Sequence, residues 1–174
     1  TLPPILSELI ANGYDAGATK VYIDLSTNKE TGDKEIIILD NGEGMTFDEI
    51  NDKYLRIGRK KREEQEVFKR KPIGKRGLGK LAFFGVSDRA EIETVRDCKK
   101  VKFSMDWNEI QSLTDKKSYE PQYSVEETFE KSYTKVTLTK IKRKTDFDIE
   151  KLKKSISNYF IPNTPMLCIG PTLC

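Results

Sequence analysis

Glu8, Asn12 and Asp15 recur at a spacing that gathers polar groups on one side of a helix. At about 100° per residue the three fall within roughly 60° of each other. The i, i+4 spacing lets Glu8 and Asn12 reach one point in space. An amide oxygen is a suitable hard ligand for Mg²⁺, and a carboxylate beside it can orient and deprotonate an attacking water. An ordinary amphipathic helix with a polar outer face has the same pattern, so this cluster alone leaves both readings open.

A second cluster is Asp40-Asn41-Gly42-Glu43-Gly44-Met45, directly after the apolar run Ile36–Leu39. A carboxylate leaving a buried strand is costly unless it finds hydrogen-bond donors. The exocyclic amine of adenine is such a donor. Gly42 and Gly44 remove side chains where a flat base would approach the backbone, and Met45 offers a soft apolar cover. Asp-Asn-Gly is equally the chemistry of a plain turn. A calcium loop fits badly, because it needs acidic residues at alternating positions and a distal Glu.

The third cluster is Gly74-Lys75-Arg76-Gly77-Leu78-Gly79-Lys80. Glycines ahead of a helix expose backbone N–H groups, which with the aligned dipoles bind phosphate. Lys75, Arg76 or Lys80 would add charge. A P-loop is the rival, but Leu81 stands where that motif needs Ser or Thr for Mg²⁺. The basic stretch Lys69-Arg70-Lys71-Pro72 also stands where a buried strand should precede it.

These residues need a scaffold. A helix is expected from near Pro4 to Ala16, with Gly17 ending it. Val21–Leu25 alternates like a half-buried strand, and Ile36–Leu39 reads as a central buried one. Thr46-Phe47-Asp48-Glu49 has capping-box form. Residues 56–73 are charged and without apolar period, hence a loop. Leu78 to Val86 should be a short helix. Strands are expected near 89–96, 99–106, 120–126 and 133–141. A last helix is expected over 146–160, with Ile149, Leu152, Ile156 and Tyr159 on one stripe. Helix and strand pairs followed by an antiparallel run argue for an α+β, two-layer α/β sandwich.

The 174 residues suffice for one domain with a core. No apolar run approaches the ~20 residues of a membrane span, so no membrane partner is expected. Net charge is +3, too little to imply nucleic acid by itself. Three cysteines without paired spacing suggest a reducing, cytoplasmic setting. With no histidine, histidine metal sites and Ser-His-Asp triads are excluded. Thr1 precedes Pro3 and Pro4 with no Met, which reads as a fragment of a longer protein.

The three clusters, in this order, resemble the boxes of the GHKL ATPases: gyrase B, the large heat-shock chaperones, histidine kinases and MutL. Asn12-Gly13-Tyr14-Asp15-Ala16-Gly17 is similar to the MutL-type wording of the N box. Gly77–Gly85 looks more like MORC-type and related prokaryotic members. The resemblance implies a sandwich with a mixed, mainly antiparallel sheet and helices on one face, forming a single ATP-binding domain over 1–174 with a lid at about 54–73. It implies a slow, Mg²⁺-dependent ATPase that binds ATP or ADP, with Glu8 as general base and Asn12 as the magnesium ligand. Asp15 would also lie in the nucleotide site. Asp40, Gly42, Gly44 and Met45 would hold adenine, while Gly74, Gly77, Leu78, Gly79 and Lys80 would hold phosphates. Tyr133–Leu138 resembles the family strand that opens with an adenine-side Thr, which assigns Thr134, although Tyr133 stands where the family usually has Gly. Implied partners are nucleotide and a second copy on ATP binding, with nucleic acid left open. A MORC-type eukaryotic protein would be nuclear. The alternative is a nucleotide sensor or DNA-associated scaffold with little turnover.

Overall fold

Alternating apolar residues build the inner face of a sheet. The computed structural model describes residues 2–50, 82–112, 121–157 and 166–170. In β1 (Lys20–Thr27) Val21, Ile23 and Leu25 are buried, and in β2 (Lys34–Asp40) Ile36, Ile38 and Asp40 are. The antiparallel register sets Val21 against Asp40, Ile23 against Ile38 and Leu25 against Ile36. Directly opposed residues share a face. Asp40 is therefore the polar end of an apolar row.

Two longer strands continue that row. In β6 (Tyr133–Ile141) Leu138, Val136 and Thr134 stand opposite Ile36, Ile38 and Asp40. In β3 (Ser87–Arg96) Ala90, Ile92 and Thr94 stand opposite Leu138, Val136 and Thr134. β4 (Lys99–Asp106) and β5 (Tyr123–Glu127) extend one side, and β7 (Met166–Ile169) lies parallel to β1 on the other. The order is β5-β4-β3-β6-β2-β1-β7. The sheet is mixed and mainly antiparallel, as expected.

The inner face is covered by helices. α1 (Leu2–Asp15) buries Leu2, Ile5, Leu6, Leu9 and Ile10, and α4 (Ile149–Ser157) buries Leu152 and Ile156. α2 (Phe47–Ile50) adds Ile50, and Trp107 of α3 (Trp107–Ser112) packs on Phe84, ring centroids 5.2 Å apart. These side chains and the inner sheet face form one apolar cluster. Burying a side chain such as Leu6 stabilises the fold by about 1.5–3 kcal/mol. The other face carries the half-buried polar residues Asp24, Glu91, Glu93, Lys135 and Thr137.

Several boundaries differ from the sequence-based expectation. The described part of the helix expected over Leu78–Val86 is a single 3-10 turn, Ala82–Gly85. Phe83 and Phe84 are adjacent and both buried, and the Phe83 carbonyl accepts from Val86 N–H and Ser87 Oγ. The turn thus closes straight into β3. α4 starts at Ile149 and not 146, because Asp148 Oδ1 caps Lys151 N–H at 2.9 Å. β5 begins at Tyr123. α3 and β7 were not expected. Arg96 and Lys99 pair across a two-residue turn in which Asp97 and Cys98 have φ of 52° and 59°. Positive φ at both positions is the geometry that matches strand twist. Tyr159, the expected lid at 54–73 and the Gly74–Lys80 cluster lie outside the described residues.

On the outer face Glu93 accepts from Tyr133 Oη at 2.6 Å and pairs with Lys102 at 2.7 Å. Burial pushes its carboxyl up, but the hydrogen bonds from Lys102 and Tyr133 outweigh that and hold it below its ordinary value. Asp106 beside Lys140 and Glu130 beside Lys100 are held low in the same way. A carboxylate depressed in the folded state contributes stability that is present above its unfolded pKa, about 4.3 for Glu. That contribution is lost as pH falls through the folded value. Thermal melts should therefore show a midpoint that drops below about pH 4.3. Glu93→Gln is expected to lower the midpoint at pH 7 and to shrink the acid-side drop. An unchanged drop in the variant would assign the loss to the other carboxylates.

Candidate functional site

Asp40 ends β2 at 7% exposure, and its Oδ1 accepts the Gly42 N–H at 2.9 Å. Asn41 turns the other way. Its Oδ1 accepts from Thr19 N–H at 2.9 Å and Lys20 N–H at 2.8 Å, and its Nδ2 donates to Thr19 Oγ1 at 2.9 Å. Asn41 thereby pins the loop to the start of β1. Glu43 N–H bonds the Ala16 carbonyl at 2.9 Å and ties the loop to the end of α1. A side chain at position 42 would lie 2.8 Å from that same carbonyl.

The third anchor is β3. Met45 N–H donates to Thr94 Oγ1 at 3.0 Å. Gly44 has φ +72°, and a Cβ there would run into the Val95 carbonyl. Both facts require glycine, one through conformation and one through space. Arg96, at the end of β3, reaches Glu49 at 3.1 Å and Glu43 at 3.7 Å. Beyond Met45 the expected capping box forms: Thr46 N–H bonds Glu49 Oε2 at 2.8 Å, and Glu49 N–H bonds Thr46 Oγ1 at 3.3 Å. The loop is thus strung between α1, β1 and β3 and hands over to α2.

α1 closes one side. A Cβ on Gly13 would lie 3.0 Å from Asp40 Cβ and 3.3 Å from Val21 Cγ2, so the helix touches the end of β2 and β1. Asn12, one residue before this contact, is half-buried. Glu8 lies one turn earlier and is exposed, and Asp15, the last residue of α1, is exposed. Thr134 is half-buried and stands opposite Asp40 on the neighbouring strand. Met45 is half-buried and packs against the core. Among the predicted residues, Gly42, Gly44, Met45, Asp40 and Thr134 therefore come together around one end of the sheet, with Asn12 and Asp15 on the adjoining helix end. Gly74, Gly77, Leu78, Gly79 and Lys80 lie outside the described residues.

Thr94 and Arg96 carried no functional expectation. A threonine in a strand is common. The available signal was alternation: Ala90, Ile92 and Thr94 occupy successive inner positions, and a hydroxyl ending an apolar row needs a partner.

Among the described residues, no group of three or more His, Cys, Asp or Glu side chains could hold a metal ion. Magnesium commonly takes one or two protein ligands and completes its shell with water and substrate phosphates. One amide oxygen from Asn12 suits that arrangement and not an all-protein cage. Among the described residues, no helix is long and apolar enough to cross a membrane.

Residues 1–144 match the model of the family described as histidine kinase-, DNA gyrase B-, and HSP90-like ATPase. A protein of Herpetosiphon aurantiacus provisionally named type II restriction enzyme HgiDII is 40% identical over 92 residues, covering 52% of this chain and 14% of that protein. The DNA mismatch repair protein MutL of Lactobacillus helveticus is 32% identical over 94 residues, covering 53% of this chain and 14% of its own. The chain thus spans about a seventh of the length of these relatives. Among solved structures, the 43K ATPase domain of Thermus thermophilus gyrase B, crystallised with an aminocoumarin, superposes with a TM-score of 0.53 at 17% identity. That match covers 86% of this chain and 37% of the gyrase chain, and at such identity it speaks for the fold.

Proposed function

Because the chain belongs to the histidine kinase-, DNA gyrase B- and HSP90-like ATPase family, we propose that it binds ATP at the Asp40 end of the sheet and hydrolyses it slowly. The observation that carries this reading is the buried Asp40, seated beneath a glycine loop anchored on three sides. Adenine would donate its amine to Asp40, with Thr134 beside it and Met45 over the ring. Gly42 and Gly44 would shape the adenine loop by letting it lie against the Ala16 and Val95 carbonyls. Gly74, Gly77, Leu78, Gly79 and Lys80 would take the phosphates, Asp15 would lie beside the nucleotide, and residues 54–73 would form the lid of one domain spanning 1–174. Asn12 would supply the protein ligand to Mg²⁺, which when bound neutralises phosphate charge. Glu8 would take a proton from the attacking water as its oxygen joins the γ-phosphorus and the bond to the bridging oxygen breaks, releasing ADP.

ATP binding would gate dimerisation or another conformational change in a longer protein. The MutL relatives, named as DNA mismatch repair proteins, favour a second reading, in which the domain is a nucleotide sensor or DNA-associated scaffold, a switch that binds ATP with little turnover. Calorimetry with ATP, ADP and GTP on the parent chain tests the binding: the two adenine nucleotides are expected to bind and GTP is not. Equal binding of GTP would remove Asp40 as an adenine reader. Single-turnover hydrolysis separates the two readings, since a pure switch leaves bound ATP intact.

A further inference from the structure

We propose that Thr94 is a specificity-determining residue of this site, because it fixes the direction of the Thr134 hydroxyl proton and leaves only acceptors on the floor of the pocket. The proposal rests on the ATP-binding reading above and deepens it.

Thr94 is fully buried, in line with Thr134 and Asp40 on successive strands. Its oxygen has three partners: Met45 N–H at 3.0 Å, the Tyr133 carbonyl at 2.9 Å and Thr134 Oγ1 at 3.2 Å. A hydroxyl has one proton and two lone pairs. The Tyr133 carbonyl can only accept, so the Thr94 proton goes there. The Met45 N–H can only donate, and it takes one lone pair. The remaining lone pair faces Thr134, whose own proton must point back at Thr94. Thr134 is left with lone pairs alone for its other neighbours, and its neighbour across β2 is Asp40. An ionised carboxylate is likewise acceptor only.

Two adjoining acceptors match a base edge that donates, such as the 6-amine of adenine. They disfavour a carbonyl oxygen at the same place, as in hypoxanthine. Asp40 alone leaves that choice incomplete. A Thr134 free to rotate would turn its proton outward and accommodate the carbonyl. Thr94 removes that option, and the same oxygen seats the loop through Met45. A pocket that leaves polar groups unpaired against the wrong ligand gains most of its discrimination this way.

The test compares ATP with inosine triphosphate by calorimetry on the full chain, with thermal melts to establish folding. Thr94→Val keeps the shape and removes the hydroxyl, and Thr94→Ser keeps the hydroxyl. The parent is expected to favour ATP. Thr94→Val should lower the ATP-over-inosine preference about tenfold, equivalent to ~1.4 kcal/mol, and Thr94→Ser should retain it. Thr134→Val reads the same coupling from the other partner, and also serves if Thr94→Val fails to fold. It should lower the preference as well. A folded Thr94→Val or Thr134→Val with the parent's preference overturns the role of Thr94 and leaves ATP binding standing. A parent that binds neither nucleotide overturns the ATP-binding reading itself.

Discussion

Glu8→Ala is expected to bind ATP like the parent and to lose about 10²–10⁴-fold in hydrolysis, the usual contribution of a positioned general base. Glu8 is exposed on α1, on the side away from Leu6 and Ile10. Alanine is the best helix former, so the helix should tolerate the change. The packed side of α1 stays intact, and with it the contact of Gly13 with Asp40. Asn12→Ala differs in kind. It removes the proposed magnesium ligand, so it should weaken magnesium-dependent binding and lower turnover only through that. Single-turnover rates and calorimetry with and without Mg²⁺ measure both. A Glu8→Ala protein that hydrolyses ATP at the parent rate, in a preparation with measurable activity, removes the general-base role.

Asp40→Asn should nearly abolish nucleotide binding while the fold survives. The Asn oxygen can still accept the Gly42 N–H that Asp40 Oδ1 accepts at 2.9 Å, so the loop keeps its local bond. The second carboxylate oxygen becomes an amide –NH₂. If adenine docks as proposed, a donor would then stand against its amine, itself a donor. A hydrogen bond to a charged group is worth about 1.5–3 kcal/mol, and leaving buried donors unpaired costs more. Affinity should fall at least about tenfold, since ~1.4 kcal/mol is a factor of ten. Calorimetry on the variant, beside a thermal melt near the parent value, gives the answer. Parent-like ATP affinity would mean that adenine is read elsewhere.

The frame of this site was legible in the sequence because local pattern and tertiary role agree there. Val21, Ile23 and Leu25 of the alternating stretch and Ile36 and Ile38 of the β-branched run face the core, while Ile37 lies on the other face, and Asp40 ends the second row where the motif placed it. Thr46 and Glu49 announced their cap and form it. What escaped depends on register. Nothing in the chain near Thr94 says that it will stand beside Thr134 or receive the Met45 N–H. Asn41 read as turn chemistry, and its bonds to Thr19 and Lys20 exist only because β1 begins beside it. β7 escaped because four residues after Pro165 give too short a period to read, although the apolar run Met166–Ile169 bounded by Pro165 and Gly170 was a usable signal. Arg96 is the last residue of the strand expected near 89–96. Its partners come from the loop, Glu43, and from α2 beyond it, Glu49.

Asp40 and Thr134 touch hands across the sheet but are far apart along the chain, as are Thr94 and Thr134. The hairpins β1–β2 and β3–β4 join neighbours in sequence, and such contacts close early and cheaply in a folding chain. The seam between β2 and β6 joins strands far apart in the chain, so closing it costs more loop entropy than closing either hairpin. The candidate site sits on that seam, so it exists only where the two halves of the sheet are joined. A ligand bound there would by mass action favour the joined form, as a clasp across the two halves. Release of the ligand and parting of the two halves are then linked events, and a change that loosens the seam anywhere along Ile36–Leu138 or Ile38–Val136 would surface first as weaker binding.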